Sequence, residues 1–302
     1  SGAIVIGFAG YLGEIIALPA TITIITVVAL LAAIAAWGIG ESVMVAAVVT
    51  VVEVGGLLLI IAAGLLSGPD VVAVIPEVVT PTEPGVWSAI LSGAVLAFFA
   101  FIGFEDIVNV AEEAKDPVRT VPRATIITLI VSSSLYFLVA LVAVTVVPID
   151  QLGASNAPLA LVFETATGRS AEIISLIAIF AVLNGVMIQL IMSSRILYGI
   201  SRAGWIPGIF AYISPSTQTP VIATGTVAAA VIVLALTLPI VQLAELTSYL
   251  VLMVFTIVNL ALIRIKRRDP EPSSAHFSVG LWVPMTGAVA SAAILAFDLL
   301  SP

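Results

Sequence analysis

The sequence contains no cysteine, which excludes disulfides, thiolate nucleophiles, iron–sulfur clusters and Cys-based zinc sites. Its single histidine, His276, removes a clustered imidazole metal site, so no metal is expected. Charge is scarce too: 9% of residues are Asp, Glu, Lys or Arg, against about 25% in soluble domains. With 61% hydrophobic residues, an ordinary soluble globule and a disordered chain are both excluded. The 17 prolines and 22 glycines are too few and scattered for a collagen-like or low-complexity chain. A net charge of −8 argues against nucleic acid as a partner. HExxH, GxSxG and Walker motifs are missing and no paired aspartates lie within apolar runs, so catalysis has no support.

What the chain has is apolar length. Cutting at charges and Pro/Gly clusters leaves nine runs, roughly 3–18, 21–39, 42–66, 86–110, 123–147, 171–197, 219–238, 241–264 and 279–298. Each approaches the ~20 residues a spanning helix needs, which makes this an all-α polytopic membrane protein with the lipid bilayer as its solvent. The first run is the weakest, being short and interrupted by Gly7, Gly10 and Gly13. It lacks the positive start of a secretory signal peptide.

Charge signs are segregated between the connections. The loops 111–123, 195–204 and 264–268 hold nine of the ten basic residues, and Arg169 is the exception. The opposite connections hold Glu14, Asp70, Glu77, Glu83, Asp150, Glu164 and Glu172. The positive-inside rule makes the basic loops cytoplasmic, in the plasma membrane of a cell. The first run then starts inside and the ninth finishes outside, where a chain ending at Pro302 reads as cut short. The proline-rich stretch 67–85 is expected to be an external loop. In the outer segment from Asp150 to Arg169, Ser155 and Asn156 ahead of Pro158 predict a capped interfacial helix.

The fourth run carries the most chemistry. Glu105 and Asp106 follow Gly103 inside an apolar stretch that continues through Ile107, Val108 and Val110. Unwound backbone survives at membrane depth only where it is buried in protein or lines a cavity. A break near Gly103 would expose carbonyls suited to an ammonium group and N–H groups suited to a carboxylate, with Asp106 capping the second half. The alternative is an unbroken span whose acids mark the water interface, since about 20 residues counted from Val86 reach Glu105. The exit that follows, Ala111 to Ala124, reads as a topogenic loop in which Glu112 and Lys115 pair and Asp116 precedes Pro117 at a helix start.

Glu53 lies near the middle of the third run, where an ionised carboxylate costs about 2.5–3.5 kcal/mol. It is expected to bind a proton or to face a polar or basic partner. Asn184, Gln189, Ser193 and Ser194 in the sixth run and Glu245 and Asn259 in the eighth read first as helix-to-helix glue.

At FFAFIGFEDIVNVAEEAKDPVRTVPRA, Phe98 to Ala124, the sequence resembles the sixth helix and following loop of amino acid permeases of the amino acid, polyamine and organocation superfamily. SSRILYGISRAGWIP, STQTPVIAT, GASNAPLALVFE and LTSYLVLMVFTIVNLALIRIKRR are similar to later parts of the same family, so the resemblance covers the whole chain. It implies a five-plus-five inverted-repeat transporter fold, with the nine runs as family helices three to eleven. Residues 1–66 would be the remainder of the first repeat, 86–268 the complete second repeat and 279–298 an additional span. It also implies that the first two family helices, most of the third, and the twelfth lie outside these 302 residues.

The function so implied is secondary transport of an amino acid by alternating access, as symport or exchange, without a cofactor. Phe99 matches the family's aromatic gate. Phe101, Ile102, Gly103 and Phe104 match the unwound substrate-binding segment, and Glu105 its acidic end. Many proton-coupled members have a lysine where this chain has Glu53, so Glu53 and Glu105 are the candidates for proton coupling. The coupling ion, proton or sodium, stays open, as do the amino acid and the oligomeric state. The rival expectations are a polyamine or other organic cation carrier of the same superfamily, and a non-transporting scaffold or channel.

Overall fold

A computed structural model describes residues 1–38, 43–67, 84–109, 111, 114–268 and 277–300. His276, Glu112 and nearly all of the loop expected at 67–85 lie outside the described residues. The described elements are helical: α1 Gly2–Gly13, α2 Ala20–Trp37, α3 Val43–Leu66, α4 Pro84–Phe99, α5 Asp106–Asn109, α6 Pro117–Val146, α7 Ile149–Ala154, α8 Pro158–Thr167, α9 Glu172–Arg202, a 3-10 turn Gly208–Ala211, α10 Val221–Thr237, α11 Ile240–Arg268 and α12 Trp282–Leu300. Among the described residues α2, α3, α6, α9 and α11 are long and apolar enough to cross a membrane, and the shorter apolar α1, α4, α10 and α12 stand at the other expected runs. The chain is thus an all-α polytopic membrane protein. The 31 residues of α9 span about 46 Å at 1.5 Å per residue, more than the hydrocarbon thickness. Glu172 in its first turn and Arg202 in its last complement the helix dipole.

Several boundaries differ from those expected. Helix α1 ends at Gly13 instead of reaching residue 18, because the chain turns at Ile15 and Ile16 before Pro19 sets up α2. Helix α6 starts at Pro117, the helix start read from Asp116 and Pro117, and so begins six residues before its apolar run. Proline is favoured at a first helical position, and the Asp116 carbonyl accepts the N–H of Arg119 and of Thr120. The expected side-chain cap of α8 does not form. Ala157 occupies the cap position, and the Ser155 hydroxyl is spent one residue earlier, accepting the Ala157 N–H at 3.1 Å.

The helices form two compact units. The first comprises residues 1–72 and 138–243. Its core joins Val5 of α1, Ile24, Val28, Leu31 and Ala35 of α2, Val186, Met187 and Leu190 of α9, and Ala228, Val231 and Ala235 of α10. The α2 residues recur at four- and three-residue steps, so they form one stripe, and the small residues of α10 let it lie close against that stripe. A second cluster joins Ile60 of α3, Val142 and Val147 at the end of α6, Val162 of α8 and Ile174 of α9. Glycine makes the approach of α3 possible: a Cβ at Gly56 would meet the Ile177 side chain at 2.8 Å, and one at Gly64 would collide with Val142.

The second unit comprises residues 73–137 and 244–302. Within it α4 packs on α12, and Asn259 of α11 fits against Gly287 of α12, where a Cβ would meet its side-chain amide at 2.8–3.1 Å. The outward side of α11 is apolar, with Leu250, Met253, Val254, Ile257 and Val258 exposed, as befits a helix whose solvent is lipid.

Candidate functional site

The fourth run does not form one helix. Helix α4 stops at Phe99, residues 100–105 are turns, and α5 begins at Asp106. The unbroken-span alternative is therefore overturned. Across the stop the hydrogen bonds shorten to i→i−3: the N–H groups of Ala100, Phe101 and Ile102 donate to the carbonyls of Ala97, Phe98 and Phe99. Gly103 then takes φ of +124°, a backbone region open to glycine and strained for other residues. Its N–H donates to Glu105 Oε2 at 2.8 Å, so the acid closes the turn from below. Asp106 is the first residue of α5, one position past the cap expected of it.

Interrupting a helix leaves backbone groups without helical partners. The Ala100 carbonyl accepts the hydroxyl of Tyr136 at 2.8 Å. Among the described residues no hydrogen bond reaches the carbonyls of Phe101 and Ile102. Aromatic edges hold the side chains: Phe101 meets Tyr136 at 5.2 Å, while Phe98 and Phe104 meet Phe255 of α11 at 5.9 and 5.8 Å.

Beside the break lies a cavity of about 380 Å³, lined by Ala100 to Phe104 and Ile107 on one side and by Thr128, Leu129, Ser132 and Tyr136 of α6 on the other. The structure thus gathers Phe101, Ile102, Gly103 and Phe104 at one cavity. Phe99, half-buried at the end of α4, and Glu105, folded onto Gly103, do not line it. The α6 wall was not anticipated. Thr128, Ser132 and Tyr136 recur every four residues and so share a face, a pattern of hydroxyls that the sequence already carries.

In the first unit, Glu53 of α3 faces a polar partner: Asn184 Nδ2 of α9 donates to Glu53 Oε1 at 3.5 Å. The Asn184 Oδ1 is buried without a hydrogen bond. Of the other polar residues of the spans, Gln189 bonds across to a second segment, while Ser194 and Asn259 bond within their own helices. Gln189 accepts the Ser1 hydroxyl at 2.8 Å, Ser194 returns its hydroxyl to Ile191, and Asn259 donates to the Phe255 carbonyl. A polar cavity of about 230 Å³ in this unit is lined in part by Glu14, Glu164 and Glu172. Among the described residues no group of His, Asp or Glu is arranged to hold a metal ion.

With this geometry in hand, the chain compares with known proteins as follows. The family model described as amino acid permease matches residues 2–301. The branched-chain amino acid permease BcaP of Bacillus subtilis is 31% identical over 196 residues, covering 63% of this chain and 41% of that protein. The vacuolar cationic amino acid transporter 4 of Arabidopsis thaliana is 34% identical over 188 residues, 61% of this chain and 31% of that protein. The methylthioribose transporter of Bacillus subtilis is 32% identical over 202 residues, 66% of this chain and 43% of that protein. The chain spans less than half the length of each of these relatives.

Proposed function

The chain belongs to the amino acid permease family, and from that premise we propose that it forms part of a secondary carrier moving amino acids across the plasma membrane by alternating access. The observation that carries the reading is the break at Ala100–Glu105 beside its cavity. Free carbonyls at Phe101 and Ile102 are acceptors for the three donors of a substrate ammonium group, and the end of α4 adds the negative pole of its dipole. Glu105, whose Oε2 accepts the Gly103 N–H, places a carboxyl group next to that subsite. Phe101, Ile102 and Phe104 line the space open to the substrate's side chain, and Phe99, one residue before the break, is the gate. Helices from 1–66 and 86–268 belong to two inverted repeats, with 279–298 an added span, and the loops 111–123, 195–204 and 264–268 are cytoplasmic.

Coupling is assigned to Glu53. A carboxyl at midspan depth with an amide for company takes up and releases a proton at lower cost than one in bare hydrocarbon. Branched-chain and cationic amino acids, for which two of the relatives are named, are the first substrates to test. In proteoliposomes of the full-length carrier, labelled L-amino acid uptake is expected to saturate, to favour one enantiomer and to show counterflow. Flux that rises linearly with concentration and shows no counterflow would indicate a channel and defeat the proposal.

A further inference from the structure

We propose that Tyr136 is the positioning residue of the break, fixing the Ala100–Phe101 peptide so that the carbonyls of Phe101 and Ile102 stay free for the substrate ammonium. The inference rests on the carrier reading given above for this segment. The α4 helix ends with the carbonyls of Ala97, Phe98 and Phe99 each taken by an N–H three residues on. Ala100 offers the first carbonyl past that series, and in a low-dielectric setting a freed carbonyl needs a donor. Tyr136 brings one from α6, 36 residues away, at 2.8 Å.

The same side chain holds the next residue by a second contact. Its ring meets the Phe101 ring at 5.2 Å and 73°, an edge-to-face arrangement. The hydroxyl therefore fixes the carbonyl of Ala100 while the ring fixes the side chain that follows it. Both groups line the cavity of about 380 Å³, so the clamp is part of its wall. If the hydroxyl is removed, the Ala100 carbonyl has another donor within its own strand of chain: the N–H of Phe104, four residues on, which is the helical partner it lacks in the broken form. Accepting that bond would rewind the segment across Gly103 and draw the next two carbonyls into the helical series. Tyr136 opposes this by occupying the acceptor first.

Tyr136→Phe tests the clamp, since the ring stays and only the donor goes. In proteoliposomes the KM for the best transported amino acid is expected to rise about tenfold, with the maximal rate within twofold and the purified yield unchanged. Hydrogen–deuterium exchange of the same variant over residues 97–109 is expected to differ from wild type at least threefold in rate, a change that a space-filling ring would not produce. Unchanged KM together with unchanged exchange overturns the proposal, and so does a parallel loss of yield and rate at constant KM, which would make Tyr136 a packing residue. Wild-type protein without saturable uptake, combined with altered exchange in Tyr136→Phe, would sink the carrier reading while leaving Tyr136 as the holder of the break.

Discussion

Replacing Gly103 by alanine separates backbone conformation from packing at the break. A Cβ added there meets nothing within 4 Å, so no steric clash enters the estimate. The cost is conformational. At φ of +124° an L side chain loses about 1–3 kcal/mol, and alanine favours the helical alternative over glycine by about 0.5–1 kcal/mol more. Both terms push toward closing the helix across residues 100–105. A combined bias of about 2 kcal/mol shifts the balance between broken and continuous forms by about 30-fold. Counterflow with purified protein should therefore show a KM raised by about that factor, or uptake lost, while folding and yield hold. Gly93→Ala is the control: it lies in α4, its added Cβ also meets nothing within 4 Å, and its φ is not positive. A KM for Gly103→Ala within threefold of wild type, or an equal loss from Gly93→Ala, would refute the reasoning.

Other outcomes follow from the same contacts. Glu53→Gln keeps the hydrogen bond to Asn184 within reach but cannot change charge, so it should flatten the pH dependence of uptake; an unchanged pH profile would make Glu53 structural. Phe99→Ala should weaken substrate affinity more than it lowers expression if the ring is a gate, and an equal fall in both would mark a packing role. Gly64→Ala forces a methyl into Val142 and should lower stability by about 1–3 kcal/mol, measured as a drop in the thermal midpoint in detergent. Gly55→Ala on the same helix meets open space and should leave the midpoint unchanged or slightly raised.

Much of the fold was legible because a bilayer imposes one length scale and one polarity on every span. Each of the nine apolar runs carries a helix in the described residues, and apart from the break at 100–105 the departures sit at the ends of the runs, where local hydrogen bonds decide. Hydropathy has no term for the turn that stops α1 at Gly13, whereas the start of α6 ahead of its apolar run was legible in Asp116 and Pro117. The break was legible from Gly103 and the two acids after an aromatic run, because that combination is costly in an intact span. Its supporting side chains were not. Tyr136 in SSSLYFLVAL looks like any aromatic facing lipid until α6 brings it to Ala100. Glu53 and Asn184 each stand out in their apolar runs, yet nothing local says that partners 131 residues apart will meet.

Phe255 touches the interrupted span before and within the interruption, through Phe98 in the last turn of α4 and Phe104 in the turns that precede α5. One ring thus acts as a splint. Edge-to-face contacts of this kind tolerate tilting but lose about 0.5–1.5 kcal/mol each when the rings part. The two ends of the gap can therefore swivel about a common pin more cheaply than they can separate, and a span cut chemically in its middle remains one mechanical part. A displacement of Phe104 in the turn at 100–105 is passed to α11 through Phe255, which couples that helix to the wall of the cavity.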